Sequence, residues 1–159
     1  KAAYFPTFVV QSFVDFNATM RKFGAPQTII SQYRHWTVML RPAQATLGAL
    51  ILAAHEPVQV FSRLSKASFT ELHTVTGHIE SALTTAFHYD KINFLMLMMV
   101  DPDVHFHVLP RYAQQHQFAG KEFIDPGWPA VPNLGHSNAT DDAMNQLIVE
   151  HIQACWPKP

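Results

Sequence analysis

Cysteine is nearly missing: the 159-residue chain holds one, Cys155, so no internal disulfide can form and nothing points to an oxidising compartment. A cytoplasmic location is the expectation. Long hydrophobic runs are missing too. The longest apolar stretches, residues 47–54 and 94–100, fall far short of the roughly 20 residues that cross a bilayer, so no membrane association is expected. The first residues carry one basic side chain, Lys1, and an apolar stretch broken by Pro6, so no signal peptide is read there. Neither sign of charge dominates: 11 Lys and Arg against 12 Asp and Glu give a net charge of -1. Without a basic block, duplex DNA or RNA is excluded as the main partner. Repeats and low-complexity segments are also lacking, and Gly and Pro are spread as turn punctuation.

What is present is enough for one core. At 48% apolar and 12% aromatic, the chain reads as a single domain over residues 1–159. Val9, Phe13, Phe16, Met20 and Phe23 recur at spacings of three and four, which predicts a helix over 8–23 ended by Gly24. Short β-branched or aromatic runs predict strands over 27–30 and 36–40, and residues 47–52 read as a third, buried strand. Phe69, Leu72, Val75, Ile79, Leu83 and Phe87 predict a long helix over 66–87, opened after Ser65 or by a capping box of Ser68 and Glu71. Residues 94–100 read as a buried strand, paired across an Asp101-Pro102 turn with a strand over 104–109 that Pro110 ends. Residues 113–136 read as a loop packed down by Phe118, Phe123 and Trp128. A last helix, capped by Asn138 or Thr140, turns Met144, Leu147, Ile148 and Ile152 inward.

The chemistry concentrates in residues 101–112, Asp-Pro-Asp-Val-His-Phe-His-Val-Leu-Pro-Arg-Tyr. Alternation at period two puts Asp103, His105 and His107 on one strand face, about 6 to 7 Å apart, with Val104, Phe106 and Val108 on the other. A neutral imidazole attacks phosphorus, a second donates a hydrogen bond, and the Arg111 guanidinium suits phosphate oxygens as a fork. A metal site is the rival use of Asp103, His105 and His107. Against it, residues at i, i+2 and i+4 on a flat strand stand too far apart to close on one ion. The other histidines, His35, His73, His78, His88, His116, His136 and His151, follow no ligand spacing and read as surface or capping positions. Tyr33, Trp36 and the 50–52 run either wall an adenine pocket or pack the core, and Met96, Met98 and Met99 read as core filler.

The octet Val104-His105-Phe106-His107-Val108-Leu109-Pro110-Arg111 resembles the signature strand of the histidine triad (HIT) superfamily, in which alternating histidines are often followed by Pro-Arg. The order of elements over residues 30–112 is similar as well. The resemblance implies an α+β fold, an antiparallel sheet with a long helix and a carboxy-terminal helix packed on it, with residues 113–159 appended to the motif-bearing core. It implies that His105 attacks the α-phosphorus of a nucleotide derivative to give a nucleotidyl-histidine intermediate, and that His107 hydrogen-bonds the phosphate. Arg111, His55, Asn93 and Met99 become the candidate substrate-binding residues. The substrates implied are nucleoside phosphoramidates, esters or dinucleoside polyphosphates of a purine nucleotide. A homodimer is implied; no cofactor and no metal is.

Two positions depart from the pattern. Asp103 stands where the first histidine belongs, and the polar pair usual before the motif falls at Met99 and Val100. Asp103 is placed to orient His105 and raise its pKa, while adding negative charge near an anionic substrate. Two readings follow: a divergent enzyme, or a catalytically weak nucleotide-binding protein that kept the fold.

Overall fold

The computed structural model describes residues 15–158. In chain order the elements are helix α1 (Ala18–Lys22), strands β1 (Ile29–Gln32), β2 (Trp36–Leu40) and β3 (Leu50–Ala54), and a 3-10 turn (Phe61–Arg63). Helix α2 (Lys66–Phe87) follows, then β4 (Lys91–Leu95), β5 (His105–Arg111), β6 (His116–Phe118), β7 (Lys121–Phe123) and helix α3 (Asp142–Ala154). Strands β2 and β3 are buried along their whole length, which puts them inside a five-stranded antiparallel sheet of order β1-β2-β3-β5-β4. The α+β expectation is met.

Alternation along these strands separates two layers. Trp36, Val38, Leu40, Leu50, Leu52 and Val108 face Val75, Ile79, Leu83 and Phe87 of α2 and Met144, Ile148 and Ile152 of α3 in the main core. Met39, Ile51 and Ala53 point the other way and are covered by Met20 and Phe23 from α1 and the residue after it. The register Ala53↔His105 and Ile51↔His107 places both histidines on this second face.

Helix α2 runs as its periodicity predicts. Its cap is Ser65, whose hydroxyl accepts from the Ser68 N–H at 3.1 Å, and the Glu56 carboxylate binds the Ser65 N–H and the hydroxyls of Ser65 and Ser68. Glu71 does not close a capping box; its carboxylate accepts the N–H groups of Arg34 and His35 and ties the β1–β2 turn to the helix.

Elsewhere the expected boundaries shift for physical reasons. The strand read over 94–100 lies earlier, ending at Leu95, and Leu97, Met99 and Val100 are exposed. Met98 adopts a positive φ of 47°, which breaks the extended ladder, and a Leu/Met run has little β-branching to resist the break. Strand β5 runs through Pro110 to Arg111. Pairing with β3 stops at Val108, so Pro110 sits where one side of the strand has no ladder partner and a missing N–H is tolerated. The 113–136 loop contains the β6–β7 hairpin, whose turn residues Ala119 and Gly120 both have positive φ.

Asp141 caps α3 by accepting from the Met144 N–H at 2.8 Å; Asn138 is buried and bridges Gln44 O and the Ile124 backbone instead. Val149 replaces Leu147 on the inner stripe. Of the helix read over 8–23, Ala18–Lys22 is helical, and residues 1–14 lie outside the described residues. Trp36 and residues 50–52 are fully buried core, with the Trp36 indole bonded to Ser68 O, so they wall no nucleotide pocket.

The tightest packing constraint on the β2–β3 connection is Gly48, at φ +79°, where an added Cβ would stand 2.8 Å from the Phe87 ring. Gly48→Ala therefore combines backbone strain with overpacking and should lower stability by about 2–4 kcal/mol. The urea midpoint should fall accordingly, with the far-UV circular dichroism of the folded protein unchanged.

Candidate active site

His105 opens β5, and its Nδ1 lies 2.7 Å from the Asp103 main-chain carbonyl. A carbonyl oxygen only accepts, so in the neutral ring the proton resides on Nδ1 and the lone pair on Nε2. That is the tautomer an attacking imidazole needs. The His107 ring lies 5.3 Å away, centroid to centroid, at 66°, and Phe23 flanks both rings at 6.1 and 5.8 Å. The pair lines a cavity of about 180 Å³ whose remaining wall is the connecting segment Leu97, Met98, Met99, Val100 and Asp101. Larger cavities, of about 400 and 530 Å³, lie against α3 and against the 128–132 loop and hold neither histidine.

His107 is nearly fully buried and, among the described residues, its Nδ1 has no hydrogen-bond partner. Burial pushes its pKa down to about 4, helped by the neighbouring His105 and Arg41 and opposed by Asp101. It is therefore neutral at pH 7, able to donate one N–H and unable to serve as a cationic acid.

Of the expected row, His105 and His107 lie within β5 and line the cavity. Asp103 lies ahead of the strand, and its carboxylate accepts from the Thr19 hydroxyl at 3.0 Å and the Thr19 N–H at 3.4 Å. The residue supports His105 through its main chain. Arg111 is also redirected: it is buried, bonded to Asp125 at 2.6 and 3.2 Å, to Asn93 Oδ1 at 2.8 Å and to Ala130 O at 3.0 Å. Its fork is filled by protein, and Asn93 is occupied with it, so neither is placed as a phosphate contact. His55 bonds Thr37 Oγ1 at 2.7 Å and Arg34 O at 3.0 Å and does not line the histidine cavity. Of the candidate binding residues, Met99 alone reaches the cavity, as an exposed apolar side chain.

Several residues of this face escaped sequence reading. Phe23 and Lys22 arrive from α1, with the Lys22 ammonium bridging both oxygens of Asp101 at 2.7 and 2.8 Å. Arg41 extends β2 on the histidine face, its N–H bonded to Ala49 O at 2.9 Å. The odd-numbered alternation Thr37, Met39, Arg41 was a usable signal for Arg41; for the α1 contacts there was none, because they join residues about 80 positions apart. Among the described residues no group of three or more His, Cys, Asp or Glu side chains is placed to hold a metal ion, and no helix is long and apolar enough to cross a membrane.

Two outcomes follow. Arg111→Ala leaves the Asp125 carboxylate buried without its partner and should cost about 3–5 kcal/mol in urea unfolding. His107 has a folded pKa below its unfolded value, so the unfolded chain takes up the extra proton first as pH falls. Its contribution to stability is complete above about pH 6.5 and is lost as pH drops toward 4. Unfolding midpoints across this window should decline, and His107→Asn should flatten the decline by on the order of 2 kcal/mol.

No protein-family model and no curated protein matches the sequence. Solved structures match its fold. A histidine triad protein from Sinorhizobium meliloti superposes with a TM-score of 0.70 at 18% identity, over 89% of this chain and 96% of that one. A histidine triad protein from Bradyrhizobium japonicum gives 0.66 at 16% identity, over 89% and 97%. A hypothetical histidine triad nucleotide-binding protein from Sulfolobus tokodaii gives 0.61 at 13%, over 80% and 82%. At these identities the likeness is one of architecture, and the architecture of this chain is the histidine triad (HIT) fold.

Proposed function

We propose that the chain is a divergent histidine triad nucleotidyl hydrolase or transferase, acting through His105 on purine nucleoside phosphoramidates, esters or dinucleoside polyphosphates. The observation that carries this reading is the His105 tautomer: a proton fixed on Nδ1 by a main-chain carbonyl and a lone pair on Nε2, in a ring that lines a cavity.

In the first step Nε2 donates its electron pair to the α-phosphorus, an N–P bond forms, and the P–N or P–O bond to the leaving group breaks. The leaving group keeps that bonding pair and takes a proton from solvent. Water, or an acceptor hydroxyl in a transfer, then attacks phosphorus. The N–P bond breaks back to a neutral imidazole, and the attacking oxygen gives up its proton. Neutral His107 supplies an N–H to the phosphoryl oxygens without adding a charge that would have to be neutralised later. Asp103 acts through its carbonyl, so the missing first histidine does not remove the support of the nucleophile.

A second reading, a nucleotide-binding protein of low turnover, is favoured by the size of the cavity. The histidine cavity of about 180 Å³ is small beside the roughly 300–1,000 Å³ usual for ligand sites, and Phe23 abuts both rings.

Turnover of adenosine 5′-phosphoramidate and diadenosine tetraphosphate, measured beside calorimetry with AMP, separates the two. His105→Ala should lower turnover about a thousandfold or more while AMP affinity changes little. Asp103→Asn should keep turnover within roughly threefold, since the carbonyl is retained. Full activity in His105→Ala would end the covalent reading, and AMP binding with no turnover in the wild type would establish the second one.

A further inference from the structure

We infer that Arg41 seats a second phosphate of the substrate, one other than the phosphate that His105 attacks. The inference rests on the nucleotidyl-transfer reading and narrows its substrates to nucleotides that carry a further phosphate, on the ribose or next along a 5′ chain.

The histidine face carries a cation without a counter-ion. Arg41 follows Thr37 and Met39 in the β2 alternation, and its half-buried side chain stands on the same side of the sheet as His105 and His107. Nη1 and Nη2 donate to the main-chain oxygens of Ala43 and Leu134, the second at a long 3.4 Å. Nε is shielded from water and has no acceptor among the described residues. The ion pairs among those residues join Arg21 with Asp15, Lys22 with Asp101 and Arg111 with Asp125; Arg41 belongs to none of them. Main-chain oxygens take up N–H groups without neutralising a charge, and burial pushes the Arg41 pKa down. A guanidinium nonetheless stays protonated, so the charge persists. Arg111, further along the same face, shows the structural alternative, a buried guanidinium with a carboxylate of its own.

Position decides which anion fits. Across from Arg41 the chain entering β3 offers only Ala49, fully buried and packed with Ala45 and Leu109, and the partly buried Leu95 of that cluster is the register partner of His107. The guanidinium charge reaches His107, whose pKa it helps to hold down. Yet β2 lies two strands from β5 in the sheet, about 10 Å at the usual strand spacing. The reacting phosphoryl group, held at His105 and His107, therefore leaves Arg41 to a group one unit removed. On a nucleotide the anions at that remove are a 2′- or 3′-phosphate and the β-phosphate of a 5′ chain. Each presents the oxygens that a guanidinium fork binds, and each supplies the missing negative charge.

The test is calorimetry on His105→Ala, which cleaves nothing through that residue, with AMP, ADP, adenosine 2′,5′-bisphosphate and adenosine 3′,5′-bisphosphate. At least one of the last three should bind at least about tenfold tighter than AMP, and which one does so names the source of the second phosphate. Adding Arg41→Gln should bring that ligand to within about threefold of AMP measured in the same variant. Arg41→Lys, which keeps the charge without the fork and serves if the glutamine variant does not fold, should leave an intermediate advantage that shrinks as potassium chloride is raised. In a protein with His105 intact, adenosine 5′-phosphoramidate bearing the preferred ribose phosphate, or diadenosine tetraphosphate where ADP is preferred, should show the lower KM against plain adenosine 5′-phosphoramidate. Equal affinities for all the nucleotides, or an advantage over AMP that is unchanged in the Arg41 variants, overturns the inference and leaves the nucleotidyl-transfer reading standing. An Arg41-dependent advantage in a protein that turns over none of these substrates supports the second-phosphate seat and overturns the catalytic reading. If no nucleotide is bound, both fall.

Discussion

The register between β3 and β5 governs everything that the histidine face can do. Ala54 N–H bonds Val104 O at 2.9 Å, and from that point Ala53 stands opposite His105 and Ile51 opposite His107. A strand reads two faces with period two, so a slip of one residue would send both imidazoles into the α2–α3 core and turn Phe106 and Val108 outward. The energetic gap against that slip is set by the apolar side chains: Leu50, Leu52 and Val108 are fully buried on the core side, and Ile51 and Ala53 are fully buried beneath α1. The histidines are held in place by the hydrophobic residues that alternate with them.

Along the same face, buried polar groups are treated in two opposite ways. At the far end of β5, Arg111 finds Asp125, Asn93 and a backbone carbonyl, and its charge is fully answered within the protein. At the near end, His107 is buried with one nitrogen unpartnered among the described residues and remains neutral at pH 7. The difference follows from basicity. A guanidinium stays charged under any protein condition and must be paired when buried, whereas an imidazole can give up its proton for less than a partner would supply. A buried donor or acceptor without a partner costs stability, and a neutral ring keeps that cost below the cost of a buried, unpaired charge.

How much of this was legible depended on the range of the interactions. Helix α2 was readable to its ends because Ser65 and the Val75, Ile79, Leu83, Phe87 spacing are local signals. The histidine alternation was readable for the same reason. Arg111 was misjudged because its partner Asp125 lies beyond a turn and a hairpin, and nothing near residue 111 announces a buried carboxylate. His55 was assigned by position relative to the long helix, but Thr37 and Arg34 O, which hold it, belong to another strand and turn. Asp103 was credited with a side-chain role, while a hydrogen bond from His105 to the backbone two residues earlier needs no particular side chain and leaves no trace in composition. Residues 96–100 failed for a different reason: apolarity was taken to mean burial, and here apolar side chains are exposed.

That exposure gains meaning from how firmly the opposite wall is fixed. Two polar contacts tie α1 to the segment before β5, Lys22 with Asp101 and Thr19 with Asp103. Lys22 is half exposed, and an ion pair of that kind contributes little after screening and side-chain entropy are counted. Met20, in contrast, is completely buried against Met39, Ile51 and Ala53, which is worth about 1.5–3 kcal/mol, and Phe23 packs beside it. The α1 flank is therefore held chiefly by hydrophobic burial. Among the described residues the 97–101 flank has no comparable anchor for Leu97, Met99 and Val100, which are exposed. The cavity beside His105 and His107 is therefore asymmetric: the α1 wall is packed and the 97–101 wall is apolar and exposed.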